Sequence, residues 1–377
     1  MNIPFHKPSL SGKELQYMEE AALSGKISGN GPFTEKCQHF FEEKYKFAKA
    51  LLATSCTDAL EMAALLLNIK DGDEIIAPSY TFVSTVNPFV MRGAKVIFAD
   101  SNSENPNIDA SGIEALITQR TRVIIPVHYA GIACDMDKIM ALSVKHGIEV
   151  VEDAAQSIDS YHNKAALGGI GTMGAFSFHE TKNIGCGEGG LLTINKPEYF
   201  SRSEIIREKG TDRVAFSRGE VEKYGWVDVG SSFLPSELLA AFLLAQLENL
   251  GPIQKKRKEL WNQYQLGLQS LEIEGKVKLP YLPSFATNNA HIFYLVLKEP
   301  EQRSELIRYL KSKDIQTAFH YLSLHKSDYF KGQYKGPELP NADHYSNCLL
   351  RLPLFNSMTT EEVQTVCSHV KEFFTKH

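Results

Sequence analysis

Short apolar runs alternate with amphipathic stretches through the first half of the chain, and this alternation limits the fold more than any other feature of the sequence. Strands are predicted at 48–53, 74–78, 95–99, 123–127 and 149–151. Helices are predicted between them at 58–67, 83–92, 113–118 and 136–146. Such a succession is typical of parallel strands joined by crossover helices. We therefore expect an α/β protein whose functional residues follow the carboxyl ends of strands.

The last of these strands, at 149–151, is followed by an acidic residue, Asp153. This is where open α/β sheets place their ligand crevice, and a carboxylate there can hold a proton on the nitrogen of a pyridine ring. Asp153 can instead be the N-cap of a helix that starts at Ala154. Gln156 is then either a surface amide or a hydrogen-bond partner of the phenolic oxygen on such a ring.

A single lysine, Lys182, follows an apolar strand predicted at 175–178 and precedes a glycine-rich run at 185–190. Glycines let the backbone pass close to a flat or phosphorylated group. A lysine amine can form a Schiff base with a carbonyl compound when its neighbours favour the neutral form. The alternative is that Lys182 is one of 40 basic residues and only a surface charge beside a turn. The combination of Lys182 with Asp153 favours a site for a pyridoxal compound.

The first predicted strand turns directly into a helix through Ser55, Cys56 and Thr57. Free backbone N–H groups and the positive end of a helix at such a turn can bind an anion such as a phosphate. An ordinary N-cap by Ser55 or Thr57 explains the same residues, and the two functions are compatible.

Composition and charge argue against several other classes of protein. The 377 residues are 43% hydrophobic and 23% charged, which is ordinary for a globular chain with one large and one smaller domain. A formal net charge of −5 without a basic tract argues against binding nucleic acid. With neither a signal-peptide pattern nor a run of eighteen apolar residues, we expect a cytoplasmic protein without a membrane span. The six cysteines form no C-x-x-C pair, so neither a disulfide framework nor a metal site is expected.

The chain is predicted to divide into a large domain at 1–250 and a smaller α+β domain at 251–377. Helices at 12–23, 34–45, 200–209 and 235–250 complete the large domain. The smaller domain is predicted to contain a helix at 254–268, a strand at 291–297, a helix at 302–313, a strand at 317–321, a loop to 340 and a closing helix from 360.

Six motifs, in this order along the chain, resemble those of the nucleotide-sugar aminotransferases of the DegT family, which are fold-type-I pyridoxal-phosphate enzymes. The motifs are Ser55-Cys56-Thr57, Pro78-Ser79-Tyr80-Thr81-Phe82, Val127-His128-Tyr129-Ala130-Gly131, Glu152-Asp153-Ala154-Ala155-Gln156, Ser177-Phe178-His179-Glu180-Thr181-Lys182-Asn183 and Gly187-Glu188-Gly189-Gly190. The resemblance covers the chain from about residue 3 to its end. It implies a large domain with a mostly parallel seven-stranded sheet between helices, plus a small C-terminal α+β domain.

The resemblance also implies roles for individual residues. Lys182 is implied to be the catalytic residue and to bind pyridoxal 5′-phosphate covalently. Asp153 and Gln156 are implied to contact the cofactor ring, and Phe82 to stack on it. The cofactor's phosphate is implied to bind Cys56, Thr57 and Ser177. Cys56 replaces a glycine that is common in the family.

A further cofactor contact is implied to cross between subunits. Many members carry an asparagine and an arginine where this chain has Ser232 and Leu234. Ser232 is implied to contact the phosphate of the neighbouring subunit's cofactor, so we expect a homodimer with shared active sites. The candidates for substrate contact, each of which has a structural alternative, are His128, Tyr129, His320 and His325.

Within the family, the chain resembles the branch that aminates dTDP-4-keto-6-deoxy-D-glucose. This implies conversion to dTDP-4-amino-4,6-dideoxy-D-galactose for cell-surface glycans, with L-glutamate as amino donor and 2-oxoglutarate as by-product. Amination of a 3-keto or UDP-linked sugar remains an alternative. A pyridoxamine-dependent 3-dehydratase would have histidine in place of Lys182, and a non-enzymatic regulator would not need the intact set of predicted cofactor contacts.

Overall fold

The computed structural model describes residues 2–376. The strands are β1 (Ala50–Ala53), β2 (Glu74–Pro78), β3 (Lys95–Ala99), β4 (Thr121–Ile124), β5 (Glu149–Asp153), β6 (Tyr161–His162), β7 (Ala165–Ala166), β8 (Met173–Ser177), β9 (Gly190–Ile194), β10 (Val277–Lys278), β11 (Phe293–Leu297) and β12 (Leu349–Leu352). The α-helices are α1 (Glu14–Leu23), α2 (Pro32–Tyr45), α3 (Cys56–Leu66), α4 (Asn87–Val90), α5 (Met136–His146), α6 (Phe200–Arg207), α7 (Arg213–Ser217), α8 (Glu237–Glu248), α9 (Leu250–Ile273), α10 (Pro300–Ser312), α11 (Pro340–Cys348) and α12 (Thr360–Lys376).

A seven-stranded sheet with the order β1-β9-β8-β5-β4-β2-β3 forms the centre of the larger unit. The neighbours from β8 to β3 are all parallel, while β9 runs antiparallel to both β8 and β1. The predicted α/β fold with a mostly parallel sheet is therefore confirmed. Strands β2 and β9 are buried at every position, as expected for strands covered on both faces.

Helices cover both faces of this sheet, and successive residues of β1 show it. Leu51 packs in a cluster that includes Leu60 of α3. Its neighbour Leu52 packs in a different cluster, which includes Phe41 of α2 and Leu243 of α8. Since side chains alternate across a strand, these two clusters lie on opposite faces.

The smaller unit is an antiparallel sheet in the order β10-β11-β12. Its core includes Tyr264 of α9, Leu310 of α10 and Val370 of α12. Ile3 is also fully buried in this core, and its N–H donates to the Asp314 carbonyl at 2.9 Å. By contact, Ile3 belongs to the core of the smaller unit. Among residues 2–376, no helix is long and apolar enough to cross a membrane.

Two predicted helices of the larger unit are much shorter than expected. The segment 83–92 contains a 3-10 turn, Val83–Thr85, and the four-residue α4. Pro88 lies in the first turn of α4, where its missing N–H is tolerated but a continuous helix through it is not. The segment 113–118 contains only the 3-10 turn Glu114–Leu116.

The smaller unit differs from its prediction near residue 320. The strand predicted at 317–321 is reduced to one bridge between Ala318 and Arg351. Its partner β12 and the preceding α11 were not predicted. The segment after Ala318 lines the cavity at the edge of the larger unit's sheet, where the candidate site lies.

Candidate active site

A cavity of about 730 Å³ lies where β5 and β8 end and α3 begins. The segment 319–322 of the smaller unit closes one side of it. The predicted site residues that line this cavity are Cys56, Thr57, Phe82, Asp153, Gln156, Ser177, Lys182 and His320. Residues far apart in sequence therefore meet at the carboxyl edge of the sheet.

Asp153 is the last residue of β5 and pairs in register with Ala175 of β8. Its buried carboxylate accepts a hydrogen bond from the Ala155 N–H at 3.1 Å and one from the Thr85 hydroxyl at 2.6 Å. No helix begins at Ala154, so the alternative of a helix N-cap is wrong. Each carboxylate oxygen accepts one bond, which fixes the group at the cavity wall.

Lys182 lies in the loop between β8 and β9, and the residue after it anchors this loop. The Asn183 amide donates to Gln254 Oε1 at 2.7 Å and to the Asn289 carbonyl at 2.8 Å. Its oxygen lies 2.8 Å from Nδ1 of His291, which therefore donates. These buried bonds hold the backbone next to Lys182 in place while its side chain lines the cavity.

The electrostatic surroundings of Lys182 favour the neutral amine. Burial lowers its pKa, and the nearby Arg351 guanidinium lowers it further, while Cys56 and Asp153 act in the opposite direction. The net result is a pKa below that of an exposed lysine. A neutral amine is the form that attacks a carbonyl, so the site is suited to a Schiff-base nucleophile.

The N-terminus of α3 faces the same cavity. Ser55 caps this helix, since its hydroxyl accepts a hydrogen bond from the Asp58 N–H at 3.0 Å. Cys56 and Thr57 are in the first turn, where N–H groups have no intrahelical acceptor. Both residues line the cavity, and Thr57 also brings its hydroxyl. The capping and anion-binding interpretations of this turn are thus compatible, with an anion held by the positive helix end.

Close packing behind this turn requires glycine at the start of β9. A Cβ atom on Gly190 would lie 2.2 Å from the carbonyl carbon and oxygen of Ser55 and 2.5 Å from the nitrogen of Cys56. These are backbone atoms, which cannot move aside as a flexible side chain does. Gly190 therefore lets β9 support the α3 turn directly.

Phe82 and Gln156 lie on the cavity wall near Tyr321. The Phe82 side chain is 55% exposed, and its ring centre lies 5.9 Å from that of Tyr321. Gln156 accepts a hydrogen bond from the Ala130 N–H at 2.7 Å and donates to the Tyr321 hydroxyl at 3.0 Å. An exposed aromatic face and an oriented amide are thus available to a flat ligand.

Three of the four substrate candidates do not line the cavity, and two of these, His128 and His325, are buried in contacts elsewhere. His128 has no exposed side-chain surface, and its Nε2 lies 3.0 Å from a Glu152 oxygen. Its Nδ1 accepts from the Cys134 N–H at 3.1 Å, so Nε2 carries the hydrogen and donates. His325 lies 2.7 Å from the Ser79 hydroxyl, beneath the segment that lines the site.

The other two candidates form a pair. Tyr129 is 2% exposed, and its hydroxyl lies 3.2 Å from Nδ1 of His320. Only His320 reaches the cavity wall. Tyr129 can therefore act on a ligand only by positioning His320.

Ser232 lies outside the cavity. It borders a separate cleft of about 480 Å³ together with Lys209 and Arg213. Within one chain, this serine does not reach the predicted phosphate position beside α3.

The profile of the DegT/DnrJ/EryC1/StrS aminotransferase family matches residues 8–371. The chain belongs to this family. The spore coat polysaccharide biosynthesis protein SpsC of Bacillus subtilis (strain 168) is 34% identical over 379 residues, which cover 98% of this chain and 96% of SpsC. The structure of S. venezuelae DesV in complex with a ketimine intermediate superposes with a TM-score of 0.89 and 28% identity, and the match covers 99% of this chain and 98% of DesV.

The PLP-form of the putative sugar aminotransferase Spr1654 from Streptococcus pneumoniae is also similar, with a TM-score of 0.91. Its identity to this chain is 24%, over 100% of this chain and 99% of Spr1654. At that identity the likeness concerns the fold. The fold of this chain is therefore that of a DegT-family aminotransferase throughout its length.

Three residues at or near the site of this aminotransferase were missed by the sequence analysis: Thr85, Tyr321 and Arg351. Thr85 lies in a segment predicted as an ordinary helix, so nothing in the sequence indicated that its hydroxyl contacts the site. Tyr321 was within a predicted strand. Arg351 did carry a signal, because it is the single charged residue in the apolar run Leu349–Leu352. Within residues 2–376, no group of three or more His, Cys, Asp or Glu side chains is placed to hold a metal ion.

Proposed function

We propose that this chain is a pyridoxal-phosphate-dependent aminotransferase that transfers an amino group to a nucleotide-linked ketosugar. The observation that carries the proposal is the convergence of the Lys182 amine, the Asp153 carboxylate and the N-terminus of α3 on one cavity. Each of these groups is common alone. Together they match the three polar ends of pyridoxal phosphate, which are an aldehyde, a pyridine nitrogen and a phosphate.

The residues present fit that cofactor in chemistry. Asp153 can hold a proton on the ring nitrogen, and Phe82 presents an exposed face for stacking. For the phosphate, the wall offers the α3 N–H groups and the hydroxyls of Thr57 and Ser177. When bound, the cofactor supplies a carbonyl that condenses with amines and a ring that takes up the electrons of a broken C–H bond.

Lys182 is proposed to act as the general base and general acid in both half-reactions. Burial lowers the pKa of its amine, and the neutral amine would accept a proton from the α carbon of an amino acid bound at this site. The same amine then returns a proton at C4′ of the cofactor. With a ketosugar, Lys182 would move the proton in the opposite direction, and the amino group carried by the cofactor would pass to the sugar carbon.

The substrates are proposed from the six motifs rather than from the cavity. We infer dTDP-4-keto-6-deoxy-D-glucose as acceptor, L-glutamate as donor, and dTDP-4-amino-4,6-dideoxy-D-galactose and 2-oxoglutarate as products. A relative named for spore coat polysaccharide biosynthesis supports a sugar acceptor used in polysaccharide formation. A 3-keto or UDP-linked sugar is the alternative.

The active enzyme is proposed to be a homodimer. Ser232 borders a cleft of its own chain that contains Lys209 and Arg213 but not Lys182. The nearby segment exposes apolar side chains, with Trp226 82% exposed and Val227 55% exposed. A second copy that covers this segment would bury it and bring the cleft toward a neighbouring cofactor.

The test of the dimer is the molar mass in solution measured by light scattering. We expect a dimer for the native chain and a shift toward monomer for Trp226→Glu, because a carboxylate would be buried at the contact. Leu266→Glu is the matched control, since Leu266 is 74% exposed on α9, away from this segment. A dimer that Trp226→Glu leaves unchanged would show that another surface forms it.

The test of the activity is a two-step titration of the purified holoenzyme followed by its visible spectrum. L-Glutamate is added first and removed, and dTDP-4-keto-6-deoxy-D-glucose follows. We expect glutamate to abolish the absorbance band of the lysine-bound cofactor and the ketosugar to restore it. Bleaching without recovery would reject this acceptor and direct the test to UDP-linked and 3-keto sugars.

The matched variant for this titration is Lys182→Ala, which removes both the covalent anchor and the proton carrier. We expect no lysine-bound band and no turnover, since general acid–base catalysis by one residue alone contributes roughly a hundred- to ten-thousand-fold. Measurable turnover by Lys182→Ala would refute the assigned role of this residue. A native protein that never binds pyridoxal phosphate would refute the proposed function itself.

A further inference from the structure

A buried amide of the smaller unit, that of Asn289, holds part of the cavity wall in the larger unit. Asn289 is fully buried and lies shortly before β11. Its Nδ2 donates to the Gln156 carbonyl at 2.8 Å and to the Ile158 carbonyl at 2.9 Å. Gln156 lines the cavity, whereas Asn289 does not. The asparagine therefore acts on a ligand through the residues that it contacts.

The orientation of the Asn289 amide is fixed by its other partners. Its Oδ1 accepts a hydrogen bond from the His291 N–H at 3.0 Å, so the nitrogen faces the two carbonyls. The amide also packs against Gly131, where an added Cβ would lie 2.1 Å from Oδ1. A flipped amide would place its oxygen opposite two carbonyl oxygens, which offer no hydrogen to it. The donor is thus held toward Gln156 in a single orientation.

The main chain of Asn289 anchors the loop that carries Lys182. Its carbonyl accepts a hydrogen bond from the Asn183 amide at 2.8 Å, and Asn183 is the residue after Lys182. The side chain of Asn289 therefore holds Gln156, and its main chain holds the lysine loop. Because both groups belong to one buried residue, these contacts fix the separation between two parts of the cavity wall.

The side chain of Gln156 keeps one hydrogen for a ligand. Its Oε1 accepts from the Ala130 N–H at 2.7 Å, and its Nε2 donates to the Tyr321 hydroxyl at 3.0 Å. Within residues 2–376, Nε2 makes this one hydrogen bond, and an amide nitrogen carries two hydrogens. The second hydrogen suits an acceptor oxygen on a flat ring, such as the phenolic oxygen of pyridoxal phosphate.

We propose that Asn289 is a positioning residue for the cofactor ring, an inference that rests on the aminotransferase function proposed above. Its Nδ2 holds the backbone of Gln156, and that backbone determines where the Gln156 amide meets the ring oxygen. Because the same asparagine anchors Asn183, the ring oxygen and the Lys182 amine are kept at a fixed separation. A displacement of about 1 Å between reacting groups can lower a rate about a hundredfold.

The alternative is that Asn289 only satisfies two buried carbonyl groups and thereby stabilises the fold. Asn195 has that arrangement, since its Nδ2 donates to the carbonyls of Gly168 at 3.2 Å and Gly171 at 2.8 Å, and neither glycine lines the cavity. A structural role lowers the fraction of folded protein. A positioning role lowers the rate constant of the protein that is folded.

The test measures how fast L-glutamate bleaches the band of the lysine-bound cofactor in Asn289→Asp. This substitution keeps the size of the side chain and the acceptor for His291, but it replaces the donor by an oxygen that repels both carbonyls. We expect the bleaching rate constant at saturating glutamate to fall about ten- to one-hundredfold. The glutamate concentration that gives half of the maximal rate should change less than about threefold, because Asn289 does not reach the cavity.

A double-mutant cycle with Gln156→Ala tests whether Asn289 acts through Gln156. In the Gln156→Ala background, Asn289→Asp should change the bleaching rate constant less than about twofold, because the amide that it positions is absent. Calorimetric titration of the cofactor-free proteins is an independent measurement. Asn289→Asp should weaken the binding of pyridoxal phosphate about three- to tenfold in the native background and less than about twofold in the Gln156→Ala background.

Asn195→Asp is the matched control, because it also places an oxygen opposite two carbonyls. It should lower the stability toward urea and leave the bleaching rate constant and the cofactor affinity of the folded protein unchanged. Asn289→Ala removes the donor without adding an oxygen, and it covers the case in which Asn289→Asp does not fold. We expect Asn289→Ala to lower the rate constant by at least about threefold.

Three results would overturn the inference. A native-like rate constant in Asn289→Ala, or in Asn289→Asp where it folds, would show a structural role. Equal losses in the native and Gln156→Ala backgrounds would show that Asn289 acts on another part of the site. A loss in Asn195→Asp as large as that in Asn289→Asp would show general destabilisation. A native protein that neither binds pyridoxal phosphate nor reacts with any amino acid would refute the aminotransferase proposal itself, and that result is distinct from the other three.

Discussion

The Thr85 hydroxyl donates a hydrogen bond of 2.6 Å to Oδ2 of Asp153. The hydroxyl of Thr81 lies 2.7 Å from that of Thr85. Because the Thr85 hydrogen is directed at the carboxylate, Thr81 is the donor of the second bond. With the Ala155 N–H on the other oxygen, the carboxylate is oriented by the protein alone. Both threonines are buried, so water does not compete for these bonds.

Replacing Thr85 by valine should therefore loosen Asp153 without changing side-chain shape. We expect Thr85→Val to lower the free energy of unfolding by about 1.5–3 kcal/mol, the range for a hydrogen bond to a charged group. The affinity for pyridoxal phosphate should fall about tenfold, which corresponds to about 1.4 kcal/mol. Urea unfolding and a cofactor titration measure these effects. Thr85→Ser keeps the hydroxyl and is the control, and equal losses in both variants would show that the methyl group matters instead.

The positions of Asp153 and Lys182 at one cavity could be predicted from sequence because their signals are local. Asp153 lies just past the end of the short strand predicted at 149–151, which predicts a carboxylate at the sheet edge, and the structure has it there as the last residue of β5. Lys182 is similarly marked by the strand before it and the glycines after it. Both predictions needed only the position of a strand end, which a short apolar run indicates.

The support of the site could not be predicted because it depends on contacts between distant segments. His128 follows a strand end, as Asp153 does, yet its side chain turns inward to Glu152. Arg351 belongs to β12, which pairs with β11 and forms a single bridge to Ala318. Tertiary packing determines the positions of these side chains. They cannot be predicted from the end of a strand or from the periodicity of a helix.

Glu152 is predicted to be essential for stability although it does not line the cavity. Its oxygens accept hydrogen bonds from the N–H groups of Gly168, Ile170 and Gly171 at 2.7–2.8 Å, in addition to the bond from His128. An amide in its place would direct its own N–H hydrogens at these donors. We expect Glu152→Gln to lower the free energy of unfolding by about 3 kcal/mol or more.

The matched control uses the same substitution on the same strand. Glu149 is partly exposed and pairs with Lys196 at 2.7 Å, so Glu149→Gln should cost about 1 kcal/mol or less. Thermal or urea unfolding of both variants measures the difference. Comparable losses would show that the carboxylate of Glu152 is not the centre of this network.

Acid should destabilise the protein below about pH 6.5, the usual pKa of an exposed histidine. Burial holds the pKa of His291 well below its usual value, and positive neighbours including Lys182 lower it further. The folded state thus keeps His291 neutral, while the unfolded state binds a proton below about pH 6.5. This contribution to stability is complete above that pH and decreases as the pH falls, by up to about 1.4 kcal/mol per unit.

Urea unfolding at pH 7 and pH 5 measures this effect. His291→Asn cannot take up the proton, and its amide can still donate to Asn183, so the variant should lose less stability between the two pH values. His39→Asn is the control, because the His39 side chain is 67% exposed. An unchanged pH slope in His291→Asn would mean that other groups, such as the half-buried His320, cause the acid sensitivity.

Gly190→Ala should weaken cofactor binding because the added methyl group would displace the turn at the N-terminus of α3. The added Cβ would lie 2.2 Å from backbone atoms of Ser55, so β9 and the turn must separate by about an ångström or more to restore ordinary contact. Because the turn holds the N–H groups of Cys56 and Thr57 toward the cavity, its displacement should lower the affinity for pyridoxal phosphate and for inorganic phosphate at least tenfold. Gly251→Ala is the control, because a Cβ on Gly251 meets nothing within 4 Å. Calorimetric titration of the cofactor-free variants provides the measurement, and native-like phosphate affinity in Gly190→Ala would show that this turn is not the anion site.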